Sequence, residues 1–124
     1  MGLAGRQTPD DVLERAIADG RVLVAASAEG LRAYVRWEYF WDTIPLCVLV
    51  RVRREYWRCG VGRALYAGIE DALRGLGHGF WLSSTEATNE RSQRFHEALG
   101  FRRIGVLQEL GQDVPEIFYR KEIG

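Results

Sequence analysis

The chain contains 124 residues with a mass of 14.1 kDa, which predicts one domain that can bury an ordinary apolar core. Lysine plus arginine and aspartate plus glutamate each number 17, so the formal charge is zero and no overall field attracts nucleic acid or an anionic membrane. The two cysteines have no further ligands at metal spacing, which excludes a usual zinc site and a disulfide framework, and no apolar run approaches a membrane span. We therefore expect a cytoplasmic protein without nucleic-acid or membrane partners.

The first half of the chain predicts one helix and three strands. Thr8 and Pro9 are typical of a helix start after a flexible segment at residues 1–7, and Gly20 is suited to end that helix. Runs of apolar residues then predict three strands, of which the third is the buried central one and follows a loop. These strands span residues 21–27, 31–40 and 46–53, and the loop spans residues 41–45.

The second half predicts two helices and three strands. Apolar residues recur at helical spacing after Val61, and a second helix ends at Gly100. In chain order, the predicted elements are a helix at 61–76, a strand at 80–84, a polar turn at 85–88, a helix at 89–99, and strands at 101–107 and 116–122. Because a helix connects them, the central strand and the strand at 80–84 are expected to run parallel, which gives an α+β domain with a mixed sheet.

A turn with two glycines joins the central strand to the next helix. Gly60 and Gly62 leave no Cβ between the backbone and a ligand, and the first amides of a helix lack internal partners, so the turn is suited to bind a phosphate. A nucleoside triphosphate loop requires lysine where Arg63 stands, and a dinucleotide fingerprint requires glycine or alanine where Leu65 stands. The turn therefore fails to match either of those two patterns.

This turn resembles motif A of the GNAT acyltransferase superfamily, in which Arg/Gln-x-x-Gly-x-Gly/Ala wraps the pyrophosphate of acetyl-coenzyme A. Gly60 and Gly62 match the motif, whereas Trp57 stands where the family usually has arginine or glutamine, although Arg58 and Arg63 keep the turn basic. The resemblance implies that acetyl-coenzyme A is the co-substrate and that no metal is required. The implied cofactor-binding groups are the backbone of Val50, Arg51 and Val52 along the pantetheine arm, the amides of Gly60, Val61, Gly62 and Arg63 on the pyrophosphate, and the side chain of Arg58 or Arg63.

A second segment resembles motif B of the same family. It contains Asn89, Ser92, Phe95, His96, Gly100 and Phe101 at the family's spacing. By this resemblance Asn89 binds the pantetheine arm, and the alternative is a helix N-cap, which asparagine also favours. His96 stands where the family commonly has a tyrosine that donates a proton to the departing thiolate, so it is a candidate general acid or thiolate orienter. The alternative for His96 is a half-buried histidine that packs beside Phe95 and Leu99.

Acetyl transfer also needs a neutral acceptor amine, which a carboxylate can provide by taking a proton. The candidates are Glu38, Asp42 and Glu86, and the alternative for each of them is solvated surface. The aromatic residues at 39–41 are candidates for a wall that receives a cationic acceptor, or else they belong to the core or a dimer contact. Four further basic residues alternate with acids and indicate a solvated face; they are Arg91, Arg94, Arg102 and Arg103.

The resemblance covers most of the chain from residue 21 onward and implies an α+β, GNAT-type fold. Its sheet would be mixed and mostly antiparallel, with central parallel strands splayed around the cofactor and helices on both faces. We expect an N-acetyltransferase that moves acetyl from acetyl-coenzyme A to a primary amine of a small molecule or peptide in a ternary complex. A noncatalytic acyl-coenzyme A-binding or protein-interaction module of the same fold is the alternative. Only one short helix is predicted before the strand at 21–27, so the exposed edge of that strand predicts a homodimer.

Overall fold

The computed structural model describes residues 10–124, and the predicted flexible segment at 1–7 and the predicted helix start at Thr8 and Pro9 lie outside the described residues. The described helices are α1 (Asp10–Ala18), α2 (Val61–Gly75) and α3 (Glu90–Ala98), and a 3₁₀ turn spans Arg54–Tyr56. The described strands are β1 (Val22–Ser27), β2 (Gly30–Phe40), β3 (Ile44–Val52), β4 (Phe80–Glu86), β5 (Arg102–Leu107) and β6 (Glu116–Glu122).

Two element boundaries differ clearly from the prediction. β4 continues into the segment predicted as a polar turn, because it pairs with β6 as far as Glu86 opposite Glu116. β3 begins at Ile44, inside the predicted loop. Trp41 and Asp42 adopt left-handed φ angles of 52° and 62°, so the chain turns sharply and the strand resumes early.

Within residues 10–124, six strands form one sheet in the order β1-β2-β3-β4-β6-β5. β3 and β4 are parallel and share one register pair, Leu46 with Leu82, whereas the other neighbouring strands are antiparallel. The predicted α+β fold, with a mostly antiparallel sheet and a central parallel pair, is therefore confirmed. Beyond this pair the two strands separate, so the sheet opens near its centre.

A β-bulge in β3 accompanies this opening. Arg36 of β2 lies opposite Leu49, but the next residue of β2, Trp37, lies opposite Cys47, so Val48 is the extra residue of β3. A bulge bends its strand and increases the local twist, and the part of β3 beyond this bulge has no register partner on β4. The end of β3 therefore borders a cavity.

The main apolar core lies between the sheet and the helices α2 and α3. Leu65 and Leu73 of α2 belong to a buried cluster with Trp37 and Trp81 of the sheet, and Phe95 of α3 packs against it. α1 contacts β2, and its buried alanine lies outside that cluster, in agreement with the predicted helices on both faces of the sheet. The core thus fixes the starts of α2 and α3 beside the open end of β3.

Candidate cofactor-binding and active site

A cavity of about 750 Å³ lies at the end of β3, where the starts of α2 and α3 converge. The structure brings all of the predicted cofactor-binding residues to its lining: Val50, Arg51, Val52, Arg58, Gly60, Val61, Gly62, Arg63 and Asn89. The same lining contains Tyr56, Trp57, Arg91, Ser92 and Phe95, to which the sequence prediction assigned no binding role.

The glycine turn has the geometry of an anion cradle. Arg58 and Gly60 have left-handed φ angles of 65° and 78°, and Gly60 directly precedes α2. No side chain of residues 10–124 caps this end of α2, so its first amides and its positive dipole end remain for a ligand. A Cβ added to Gly62 would lie 3.3 Å from ring atoms of Phe95, so only glycine leaves this wall undisturbed. Backbone amides with arginines beside them are a donor set that fits a diphosphate.

Asn89 starts α3 and also lines the cavity. Its side-chain oxygen accepts a hydrogen bond from the Ser92 amide at 3.0 Å, so the N-cap that the sequence offered as an alternative is confirmed. The cap fixes the orientation of the Asn89 side chain at the cavity wall. Capping and ligand contact are therefore compatible in the same residue.

Trp57 and Arg91 form a wall of the cavity. The Trp57 indole nitrogen donates a hydrogen bond to the Val52 carbonyl at 2.9 Å, and Cζ of Arg91 lies 3.6 Å from the centroid of the indole ring. Arg91 is exposed, as predicted for a solvated face, and it also lines the cavity, which the sequence did not indicate. The indole also engages the Val52 carbonyl, which is one of the backbone groups predicted to meet the pantetheine arm.

His96 lies in a buried chain of hydrogen bonds, outside the cavity lining. Its Nδ1 is 2.7 Å from the Ser92 carbonyl oxygen, and its Nε2 is 2.7 Å from Oγ of Ser83. The chain continues from Ser83 to the Tyr66 hydroxyl at 3.1 Å and from Tyr66 to Sγ of Cys47 at 3.2 Å. It therefore links α3, β4, α2 and β3 directly behind the cavity.

The Ser92 carbonyl fixes the tautomer of His96. A carbonyl oxygen only accepts, so Nδ1 carries the proton and Nε2 accepts from the Ser83 hydroxyl. Burial lowers the pKa of His96 to about 4, so roughly one molecule in a thousand carries an imidazolium at pH 7. The His96 ring is fully buried and stacks on Tyr119 at a centroid distance of 4.7 Å. The predicted alternative of a half-buried histidine beside Phe95 is therefore wrong about the degree of burial. In this arrangement His96 has no spare proton for a departing thiolate.

The three predicted base candidates lie apart from one another and outside the cavity lining. Glu38 forms ion pairs with Arg21 and Arg36. Asp42 is exposed in the turn after β2. Glu86 is the last residue of β4, which is one of the two strands that separate at the opening.

Glu116 is a buried carboxylate to which the sequence prediction assigned no role. It lies directly opposite Glu86 in the β4–β6 ladder and accepts a hydrogen bond from the Ser84 hydroxyl at 2.7 Å. Because side chains alternate along β4, Ser84 and Glu86 face away from Ser83, which contacts α2 and α3. Burial raises the pKa of Glu116, the hydrogen bond from Ser84 partly offsets this, and the neighbouring charge of Glu86 raises it further.

The described residues provide neither a metal site nor a membrane-spanning helix. Within residues 10–124, no group of three or more histidine, cysteine or carboxylate side chains is arranged to hold a metal ion. Over the same part of the chain, no helix combines the length and apolar character needed to cross a membrane. Both cysteines are free thiols, of which Cys47 is buried and Cys59 exposed.

A mixed sheet that opens at a parallel strand pair, with a glycine-initiated helix beside the opening, defines the class of acyltransferase-type α+β domains. The family model described as acetyltransferase (GNAT) family matches residues 4–101, which is most of the chain. The chain therefore belongs to the GNAT acetyltransferase family, and the predicted resemblance is confirmed. No curated protein matches the sequence significantly.

Solved structures of other acetyltransferases share the fold. The *Escherichia coli* ribosomal-protein-S18-alanine N-acetyltransferase is 18% identical, with a TM-score of 0.78 over 98% of this chain and 81% of its own. *Chaetomium thermophilum* Naa20, solved with a bisubstrate analogue, is 17% identical, with a TM-score of 0.84 over 95% of this chain and 75% of its own. YncA of *Salmonella typhimurium*, solved with its cofactor acetyl-CoA, is 21% identical, with a TM-score of 0.74 over 95% of this chain and 76% of its own. At these identities the similarity shows the shared fold.

Proposed function

We propose that this protein is an acetyl-coenzyme A-dependent N-acetyltransferase that passes acetyl directly to a primary amine within a ternary complex. The observation that carries the proposal is the convergence of all the predicted cofactor-binding residues on one cavity, beside the uncapped start of α2. In the proposed complex the amides of Gly60 and Gly62 hold the diphosphate, while the open end of β3 lies along the pantetheine arm. Membership of the GNAT family supports the same chemistry.

The chemistry requires the protein to position two substrates and to move two protons. The acceptor nitrogen forms a bond to the acetyl carbon as the carbon–sulfur bond breaks, and one nitrogen proton passes to the departing thiolate as the amide forms. The other proton, that of the ammonium form of the acceptor, must leave before attack. A carboxylate beside the opening of the sheet can take that proton. Among the described carboxylates we favour the Glu116–Glu86 pair, because Glu86 ends β4, Glu116 lies opposite it at the start of β6, and burial keeps the pKa of Glu116 raised. Glu38 is already engaged by two arginines, and Asp42 is exposed to solvent.

We propose that His96 is a positioning residue. Its neutral ring connects the Ser92 carbonyl of α3 to the Ser83 hydroxyl of β4, and so it holds the wall that contains Asn89 against the opened strand. If instead His96 supplies the thiolate proton, as the family's tyrosine does, His96→Phe would change kcat across pH 6 to 9 in a pH-dependent way. A positioning role predicts a rise in KM for acetyl-coenzyme A with an unchanged pH profile.

Two measurements on the full chain test the proposed function. Calorimetry should detect binding of coenzyme A, and a thiol-release assay with acetyl-coenzyme A should detect turnover with at least one member of a panel of small amines, polyamines and peptide amino termini. A Gly60→Val variant, which cannot readily adopt a φ of 78°, should lose both signals. Absence of coenzyme A binding by well-folded protein would refute the proposal.

A noncatalytic acyl-coenzyme A-binding module is the second candidate. It is favoured by the cavity lining, which contains no carboxylate, and by the neutral, fully engaged His96. The same two measurements separate the candidates, because the module predicts tight binding without thiol release for any amine. Turnover would exclude it.

The cellular setting and the oligomeric state also belong to this proposal. We propose a cytoplasmic enzyme, which agrees with two free thiols. We further propose a homodimer through β1, which is an edge strand among the described strands and exposes Val24 to 55% of its full area. The acceptor amine belongs either to a small molecule or to a peptide.

A further inference from the structure

Five arginines lie at the cavity or beside it. Four of them line the cavity: Arg51, Arg58, Arg63 and Arg91. The fifth is Arg54, whose charge lowers the pKa of Arg91. The lining contains no aspartate or glutamate. None of the ion pairs in residues 10–124 includes any of the five. This is unusual for a chain of zero net charge, and it indicates that an anion completes the cavity.

Part of this arginine group is fixed in place by an aromatic ring. The Trp57 indole is anchored through its nitrogen to the Val52 carbonyl, and the Arg91 guanidinium lies 3.6 Å from the ring centroid. Cζ of Arg54 lies 5.4 Å from the same centroid. Stacking on an anchored ring orients the planar fork of Arg91, which is the group best suited to bind phosphate through paired hydrogen bonds.

Like charges meet at Arg91. Its side chain is exposed, and its pKa is lowered by partial burial and then by the nearby charges of Arg58 and Arg54. A bound dianion would offset this repulsion, because each guanidinium would then face an opposite charge.

The diphosphate of the proposed cofactor does not account for the whole group. The amides and the dipole of α2 already suit a diphosphate at Gly60 and Gly62, with Arg63 on the same helix. The charge of Arg58 acts on Arg91 of α3, and both residues line the cavity. With Trp57 under Arg91, they form a second basic group beside the glycine turn. A phosphate monoester carries about 1.5 to 2 negative charges near neutral pH and would match this second group.

We propose that Arg91, which is stacked on Trp57, and the nearby Arg58 form a separate subsite for the 3′-phosphate of the adenosine end of coenzyme A. This inference rests on the proposed function and deepens it: the protein would select 3′-phosphorylated coenzyme A thioesters over their dephospho and pantetheine counterparts. Trp57 stands where the family motif has arginine or glutamine, and it would then contribute to cofactor binding by stacking under Arg91.

Calorimetry with coenzyme A and 3′-dephospho-coenzyme A tests the subsite on the full chain. The wild type should bind coenzyme A at least about tenfold more tightly than the dephospho form, because the dephospho form cannot make the charge-assisted bidentate contact. Arg91→Gln should bring the two affinities close together by weakening coenzyme A alone. Arg94→Gln is the matched control on the same helix, because Arg94 lies outside the cavity lining, and it should retain the wild-type preference.

The outcomes separate this inference from the proposed function. Equal binding of both ligands by the wild type would overturn the subsite and leave the proposed function intact. An equal loss of both ligands in Arg91→Gln would also overturn it, because Arg91 would then contact the diphosphate. If the wild type binds neither ligand, the proposed function fails and the subsite fails with it. A steeper salt dependence for coenzyme A than for the dephospho form would support the subsite independently of any variant.

Discussion

The burial of His96 predicts a specific loss of stability in acid. The pKa of His96 falls from 6.5 in the unfolded chain to about 4 in the folded protein, so below pH 6.5 the unfolded chain binds the proton more strongly. The stabilisation that this difference provides is complete above pH 6.5 and is lost as the pH falls towards 4. Integrating the difference in bound protons over this pH range gives a loss in the free energy of unfolding of about 3 kcal/mol in total, of which about 2 kcal/mol is lost by pH 5.

Urea unfolding at pH 7.5 and pH 5 measures this loss, and His96→Gln isolates it from the carboxylates that titrate in the same range. The free energy of unfolding of the variant should be lower at pH 7.5, and the gap between variant and wild type should narrow by about 2 kcal/mol at pH 5. His78→Gln is the matched control, because His78 is the other histidine of the chain and lies near the surface against Tyr39. This variant retains His96 and its buried hydrogen bonds, so it should keep the acid-induced loss assigned to that residue.

The same reasoning can be checked without a variant. Nitrogen-15 NMR should show that His96 is the Nδ1–H tautomer at pH 7, as its bond to the Ser92 carbonyl requires. Titration of the His96 ring near its ordinary pKa, or an acid-induced loss that is identical in His96→Gln and the wild type, would refute the reasoning.

Three further predictions concern the site and the assembly. Gly62→Val should weaken coenzyme A binding about tenfold, because a side chain larger than the alanine that motif A accepts would displace the Phe95 ring, which lies only 3.3 Å from an added Cβ. Gly75→Val at the end of α2, where no atom lies within 4 Å of an added Cβ, should leave binding unchanged, and calorimetry compares the two variants. Glu116→Gln should lower kcat about a hundredfold and abolish the acid limb of the pH–rate profile. In the wild type that limb should lie above the ordinary pKa range of a glutamate, because burial raises the pKa of Glu116. An unchanged profile in the variant would exclude Glu116 as the base. Light scattering should show a dimer that Val24→Lys converts to a monomer, and a monomeric wild type would contradict the β1 interface.

The cofactor-binding turn could be predicted from the sequence because its determinants are local. Gly60 adopts a left-handed φ angle, and Gly62 lies close to the Phe95 ring. Glycine meets both requirements, so the positions of the two glycines in the sequence indicate the turn directly. The N-cap at Asn89 is local in the same sense, since its bond reaches only to Ser92. Features of this kind are visible before any tertiary contact is known.

The remaining parts of the site depend on contacts between distant segments. Arg91 joins the cavity because α3 places it over Trp57, which lies far away in the sequence, and a basic residue among acids gives no sign of that contact. Glu116 becomes a candidate base only through its register against Ser84 and Glu86 in another strand. Neither contact has a periodicity or a spacing that reveals it.

The bulge at Val48 explains why one strand can serve both the core and the cavity. In a regular strand, residues 47 and 50 point to opposite faces. Here the extra residue resets the alternation, so that Cys47 pairs with Trp37 and Val50 with Val35, and both sides of the bulge supply the same buried cluster. The bend that results also separates β3 from β4, whose described ladder consists of a single register pair. Val50, just beyond the bulge, therefore belongs both to the buried cluster and to the cavity lining, as the reset alternation allows.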